Sequence, residues 1–363
     1  MLKNILIFFL ISTSLYAVSL KELLNSVEVT NENYQAQQAL QQMAKKQYES
    51  ASKDNFPTLN LIGAYENNSK VLEHEPEDIL YGELKASYTL YDGGRITNNK
   101  LAKKSLHESQ KFNTQYLKQE IMLDVIREYF SFQNSKSAIE VLNYKINELD
   151  EQIKRSEILV KNDLATKDKL QALIASKKES LYDIETLKID LENAILQLSL
   201  LTGLDILPQD DDKLLEPIYK EEQRYDIEAK KLEAQSSKYS SEKYNYLPTI
   251  SINNSLKKQE YLHYDEIYND KLNNQISLQI NIPIFDFGKI SKDKEASQLE
   301  TLALNKEIEY KEKSIQIERK LALKSLESSK IKLDSAIAAL EATNTTYEFS
   351  KKRFDANLIS YTE

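Results

Sequence analysis

The spacing of apolar residues switches along the chain between a period of two and the wider period of a helix. After Phe56-Pro57, Leu59, Leu61, Gly63 and Tyr65 fall on one side and Thr58, Asn60, Ala64 and Glu66 on the other, with Ile62 as the exception. Leu84, Ala86, Tyr88 and Leu90 then alternate against Lys85, Ser87, Thr89 and Tyr91. Alternation of this kind predicts strands, here a hairpin over 57–91 with an acidic loop containing Glu73, His74, Glu75, Pro76, Glu77 and Asp78. A second hairpin over 248–285 is cleaner, with Ile276, Leu278, Ile280 and Ile282 opposite Gln275, Ser277, Gln279 and Asn281.

Helical spacing fills the rest. Leu20, Leu23, Leu24 and Val27 predict a helix over 20–54, ended by Phe56-Pro57. From Arg95 to Lys161 there is no glycine or proline, and Ile139, Leu142, Ile146, Leu149 and Ile153 repeat as heptads. A helix of that length is about 100 Å long. Asn162-Asp163-Leu164-Ala165-Thr166 reads as a turn into a returning helix to residue 201, whose stripe of Leu170, Leu173, Ile184, Leu187, Leu191, Ala194 and Leu198 is interrupted at Lys177 and Ser180. Thr202-Gly203 closes it, and a linker over 202–219 holds Pro208, the run Asp210 to Asp212, and Pro217. A helix over 220–246 precedes the second hairpin. A long helix over 289–356 follows it, with Leu333, Ile337, Leu340, Tyr347 and Phe354 in heptad register. The helices at 20–53 and 167–201, placed end to end, match the length of the helix between 95 and 161.

These elements repeat. Phe56-Pro57-Thr58-Leu59 returns as Leu247-Pro248-Thr249-Ile250, with the prolines 191 apart, and Tyr91-Asp92-Gly93-Gly94-Arg95 returns as Phe285-Asp286-Phe287-Gly288-Lys289, with Gly94 and Gly288 194 apart. Two copies of a strand pair followed by a long helix point to duplication, dividing the chain into repeats over 18–219 and 220–363. At the same offset Asn357-Leu358-Ile359-Ser360 aligns with Asp163-Leu164-Ala165-Thr166. Symmetry then predicts a returning helix of about 35 residues after Glu363, so the chain reads as C-terminally truncated.

Composition narrows the partners. A formal net charge of −9 lacks the basic footprint that a nucleic-acid partner requires. Residues 1–17 read as an export signal, with Lys3 at the positive end, an apolar stretch from Ile5 to Leu15, and Ala17 at the cleavage point; a retained membrane anchor is the other reading, although the apolar run is short for a span. With no cysteine, the chain has neither disulfides nor an N-terminal lipid-bearing Cys, so packing and oligomerisation must supply stability.

Four strands, each with one apolar and one polar face, suit a membrane barrel with a wet interior. A half-buried sheet in a soluble sandwich alternates in the same way. In the barrel reading Lys85, Gln275, Gln279 and Asn281 line the lumen. Tyr65, Tyr81, Tyr261, Tyr264 and Tyr268 near the loop ends, with Phe56, Tyr91, Tyr246, Phe285 and Phe287 near the helix ends, are placed for two aromatic belts or for ordinary packing beside turns. Four strands cannot close a transmembrane barrel, which needs about eight, so a membrane location forces oligomerisation.

In these residues, the exported N-terminus, the two Pro-to-Gly hairpins and the two tips at Leu164-Ala165-Thr166 and Leu358-Ile359-Ser360, the chain resembles the TolC family of outer-membrane efflux proteins from about residue 19 to its end. The resemblance implies a mainly α fold with transmembrane β-strands: a homotrimer in which four strands per protomer form one twelve-stranded barrel, continued by a coiled-coil helical tunnel into the periplasm. It implies a passive duct for efflux or type I secretion, served by an inner-membrane transporter and a periplasmic adaptor. Asp163, Leu164, Ala165, Thr166, Leu358, Ile359 and Ser360 would face the adaptor. The family usually has glycine at the tips, whereas this chain has Asp163 and Asn357, which tolerate positive φ better than most residues. The family's gating aspartates commonly lie on the helix expected after Glu363, so none is assigned.

No pattern supports catalysis. His74, His107 and His263 lack ligand partners at metal spacing and read as exposed loop or helix-surface residues, and no phosphate-cradling glycine loop is present. Pro57, Asp92, Gly94, Pro248, Asp286 and Gly288 read as the strand–helix junctions, with the aspartates as turn and helix-start residues. Asp210 to Asp212 read as a solvated acidic linker. No cofactor is expected. Two other classes stay open at this point: a periplasmic coiled-coil adaptor or scaffold, and a non-functional fragment.

Overall fold

The computed structural model describes residues 17–68, 77–205, 207–209, 224–262 and 272–356. The export segment before Ala17, His74, Asp210 to Asp212, Pro217, His263, Tyr264, Tyr268 and the second tip with Leu358, Ile359 and Ser360 lie outside the described residues. In chain order the elements are β1 (Ala17–Val18), α1 (Leu20–Thr30), α2 (Glu32–Lys53), β2 (Thr58–Asn67), β3 (Asp78–Tyr91), α3 (Arg95–Lys161), α4 (Lys167–Thr202), β4 (Leu207–Pro208), α5 (Tyr225–Glu242), β5 (Thr249–Leu262), β6 (Asn273–Asn281) and α6 (Lys289–Asp355). They fall into two compact units, Met1–Gln298 and Leu299–Glu363. In the second unit, the distal part of α6, the heptad residues Leu333, Ile337, Leu340 and Tyr347 are exposed.

Helix α3 is the spine of the first unit, and α1, α2, α4 and α5 all pack along it. Cross-helix contacts give antiparallel directions throughout. Lys177 of α4 pairs with Asp150 at 2.6 Å, Gln37 of α2 donates to Gln110 at 3.0 Å, and Ser236 of α5 donates to the Ala102 carbonyl at 2.9 Å. The heptad stripe faces α4: Leu149 is buried, and Ile139, Leu142, Ile146 and Ile153 are half-buried. Its interruption has a structural cause. Lys177 reaches across to the Asp150 carboxylate, and the small side chain of Ser180 is fully buried.

The sequence predicts one helix over 20–54, and the chain instead breaks at Asn31. With φ −71° and ψ 116°, Asn31 ends α1 and caps α2, its Oδ1 accepting the Tyr34 N–H at 2.7 Å. The same side chain donates from Nδ2 to the Leu201 carbonyl at 2.7 Å, and the Thr30 hydroxyl lies against the Thr202 carbonyl. A helix end leaves its last carbonyls without intrahelical donors. Here the break between α1 and α2 supplies donors to the last carbonyls of α4, which is how the end of α4 meets that break beside α3. Gly203 makes the approach possible: it has φ 66°, and a Cβ there would lie 2.9 Å from the Thr30 carbonyl oxygen.

Around that meeting point Leu23, Val27, Tyr34, Ile121, Val125, Tyr129 and Leu198 form the hydrophobic core. Burial of each large aliphatic side chain is worth about 1.5–3 kcal/mol. The Tyr129 hydroxyl donates to the Gln209 carbonyl, and the Gln209 N–H donates to the Val18 carbonyl at 3.0 Å, beside the parallel pairing of β1 with β4. The expected 202–219 linker thus begins as a strap over the core.

Strands β2, β3, β5 and β6 form an antiparallel sheet in that order. Every position of β6 is exposed, and every position of β2 except Ala64. Leu61 is 82% exposed and Ile276 69%. A soluble sandwich would bury one of these faces. Among the described residues the other strands are only the two-residue β1 and β4.

Replacing Asn31 with Ala removes both the cap and the donor to α4, and is expected to cost about 2–3 kcal/mol in urea unfolding followed by circular dichroism. Asn31→Asp keeps the cap acceptor and loses only the donor, so an intermediate loss is expected; equal losses would assign the whole effect to the α4 contact.

Candidate functional site

Pairing register decides which side chains share a face of the sheet. Asn60, Lys85, Ser255 and Gln275 stand in one row across all four strands, Thr89, Ser251 and Gln279 in another, and Thr249 pairs with Asn281. Lys85, Gln275, Gln279 and Asn281 therefore lie on one face, where Ser255 also donates to Glu83 at 2.7 Å. Leu61, Leu84 and Leu256 form a row on the opposite face, as do Tyr88, Ile252 and Leu278. The strands are 9 to 14 residues long, and a tilted strand crosses a bilayer core in about 9–11.

Each strand pair passes into its long helix through a capped turn. The Asp92 carboxylate accepts the Gly94 N–H at 2.9 Å and the Ile96 N–H, and Asp286 accepts the Gly288 N–H at 3.0 Å and the Ile290 N–H at 2.7 Å. These bonds satisfy helix-start N–H groups that lack intrahelical partners. Pro57 and Pro248 stand immediately before β2 and β5, where a missing N–H costs the ladder nothing.

The first joint is also tied across the repeat. Arg95 donates to Thr249 Oγ1 at 2.8 Å and to the carbonyls of Leu247 at 2.7 Å and Asn245 at 3.1 Å, while Asn245 donates to the Gly93 carbonyl at 3.0 Å. Gly93 has φ 70°, and a Cβ on it would sit 2.6 Å from Leu247 Cβ. At the second joint Tyr246 donates its hydroxyl to Asp286 at 2.7 Å. Sequence reasoning places Arg95 and Tyr246 at the joints and misses these bonds, because their partners lie far along the chain.

At the far end of α3 the turn to α4 closes with the Leu164 N–H on the Leu159 carbonyl at 2.8 Å and the Asp163 N–H on Val160 at 3.1 Å. This is the arrangement that usually takes glycine at the left-handed residue. Asp163 occupies it with φ 55°. Leu164 is 73% exposed at the apex, and Thr166 precedes α4 as its N-cap residue. A hydrogen bond from Thr166 chiefly holds the Asp168 carboxyl below its ordinary range.

No group of three or more His, Cys, Asp or Glu is placed to hold a metal among the described residues. His107, expected on a helix surface, is half-buried on α3 with its Nδ1 out of contact with water. No described helix is long and apolar enough to cross a membrane.

Among the described residues the chain is a two-faced, four-stranded sheet joined to a coiled-coil hairpin, a fold it shares with outer-membrane channel proteins. Residues 23–197 match the family model described as outer membrane efflux protein. No curated protein matches the sequence. Among solved structures, CusC is similar with a TM-score of 0.80 and 18% identity over 96% of this chain and 85% of its own. The outer-membrane channel OprN gives 0.82 and 15% over 94% and 82%, and the Campylobacter jejuni CmeC outer membrane channel 0.78 and 16% over 94% and 78%. Over residues 23–197 the chain is thus similar to the outer membrane efflux proteins, and it shares the fold of these channels.

Two outcomes are expected at the joints. Asp92→Ala removes both N–H acceptors and costs about 1–2 kcal/mol, read from the unfolding midpoint in detergent. The Asp286 carboxyl is held below its ordinary value, first by the Ile290 N–H and then by Tyr246. A depressed folded pKa means that the joint's stabilisation is complete above the ordinary aspartate pKa and is lost as pH falls through the folded value. The Gly288 and Ile290 amide NMR shifts should titrate below the ordinary aspartate range, and Tyr246→Phe should move that midpoint upward.

Proposed function

We propose that this chain is the outer-membrane duct of a tripartite efflux or type I secretion assembly, extending into the periplasm and conducting substrates passively. Three copies supply twelve strands to one barrel, with Lys85, Gln275, Gln279 and Asn281 turned to the aqueous lumen and the leucine and isoleucine rows turned to lipid. A periplasmic adaptor docks on Asp163, Leu164, Ala165 and Thr166 at the first tip and on Leu358, Ile359 and Ser360 at the second, and an inner-membrane transporter supplies the energy. The observation that carries this reading is the sheet with no layer on either face among the described residues. Its apolar side has lipid as its natural solvent and its polar side has water, an arrangement that a soluble periplasmic adaptor would not tolerate. CusC, which forms a transmembrane channel, and the CmeC outer membrane channel share this fold, which supports carrying the role over.

Cell fractionation tests the reading. A heat-modifiable trimer in outer-membrane vesicles that opens wide, weakly selective pores in planar bilayers is the expected result; a soluble periplasmic monomer would favour the adaptor alternative and end the duct reading. At the tip, Leu164→Asp should lower adaptor-dependent export about tenfold or more by removing an exposed apolar anchor. Pore conductance and trimer yield should stay unchanged.

A further inference from the structure

We infer that the two open edges of the sheet, β2 and β6, join between copies of this chain in one register set by the internal repeat, and that an ion pair between Lys289 of one copy and Asp54 of the next locks the joint. The inference deepens the homotrimer reading and rests on it.

The template is the internal pairing of β3 with β5, in which Leu84 faces Leu256, Lys85 faces Ser255 and Ala86 faces Asn254. The repeat carries β3 onto β6 by 194 residues and β5 onto β2 by 191. Applied to those pairs, it sets Leu278 opposite Tyr65, Gln279 opposite Ala64 and Ile280 opposite Gly63 of the next copy. The faces provide an independent check. Leu278 and Ile280 lie on the apolar face through their own pairing with β5, and Gly63 and Tyr65 lie on it through theirs with β3. The derived register joins apolar to apolar and polar to polar, whereas a slip of one residue would set every aliphatic side chain against the polar face.

The same offsets map the Arg95 joint onto the edge. Arg95 becomes Lys289, and Thr249, Leu247 and Asn245 become Thr58, Phe56 and Asp54. Lysine is a point charge that cannot reproduce the forked bonds of Arg95 to two carbonyls. A neutral Asn245 is replaced, in compensation, by a carboxylate. Both groups are available: Asp54 is exposed, and Lys289 makes only a loose i,i+4 contact of 3.3 Å with Asp293. Phe287 adds a steric argument. It is the counterpart of Gly93, holds a left-handed φ of 56°, and is 92% exposed. Its side chain must be accommodated against Phe56 of the next copy, so the joint between copies is wider than the internal one, and a long flexible ammonium spans it where a rigid fork would not.

The chain has no cysteine, so introduced thiols are the only ones present. In outer-membrane vesicles, Ala64→Cys combined with Gln279→Cys should form covalent dimers and trimers on copper-phenanthroline oxidation. Directly opposed Cβ atoms in an antiparallel pair lie about 4.5–5.5 Å apart, near disulfide reach. Ala64→Cys with Ser277→Cys, or with Asn281→Cys, should cross-link at least about fivefold less, since diagonal neighbours are about 7–8 Å apart. Better cross-linking by either slipped pair, or none by any pair while the uncrosslinked trimer persists, overturns the register and leaves the trimer standing; absence of any oligomer in the unmodified chain removes the homotrimer reading itself. For the lock, Lys289→Glu and Asp54→Lys should each lower the yield of SDS-resistant trimer about fivefold, and the double exchange should restore most of it. Single losses without rescue, or no loss, overturn the ion pair.

Discussion

A strand edge inside hydrocarbon leaves N–H and C=O groups with no water to receive them, at several kcal/mol for each group. That constraint governs this structure. The sheet of β2, β3, β5 and β6 presents aliphatic rows that no other layer covers among the described residues, and the stable solvent for such a face is lipid. Yet β2 and β6 each have one unpaired edge. Both conditions are met when the edges find strands elsewhere, and in the proposed trimer the matching strands are the chain's own, on another copy.

The rest of the first unit meets a different requirement. Helix α3 stands in water, where backbone groups need no special care, but a long amphipathic helix needs its apolar stripe covered. Coverage comes from two helices that meet end to end, and the meeting point is where the structure is most elaborate. Carbonyls at the end of α4 accept from Thr30 and Asn31, Gly203 lets the backbones approach, and the fully buried Leu23, Val27, Val125, Tyr129 and Leu198 surround the contact. Each part of the chain thus settles its polar groups by the rule of its own solvent.

Much of this was legible in the sequence, for physical reasons. Strand alternation and heptads are direct projections of backbone geometry, so the hairpins, the α3–α4 pair and the tip at Asp163 follow from spacing alone. Asn31 was hidden because a break without glycine or proline leaves no mark in a polar, glutamine-rich helix. The β1–β4 strap was hidden because two-residue strands have no period. The bonds of Arg95 to Asn245, Leu247 and Thr249 were hidden because they join residues some 150 apart, although the repeat itself marked both partners as joint residues. His107 reads as a surface residue in the sequence because helical spacing does not reveal which neighbours cover a face, whereas in the structure it is half-buried.

The two environments also imply an order of events. The helical core is internal to one copy and its burial free energy is available before any partner arrives, whereas in the proposed trimer the sheet gains nothing from closing its edges until lipid and further copies are present. Loss of a core contact such as Val125 should therefore act on each protomer before assembly, while changes at the sheet edges act only afterwards. The joints at Asp92 and Asp286 lie between these regimes. Their bonds are local to the turn, so they form with the helices, and they fix the direction in which each strand pair leaves its helix. A sheet whose strands are already aimed by capped helix starts loses less conformational freedom on closing than one hung from flexible linkers, because the ordering has been completed in water.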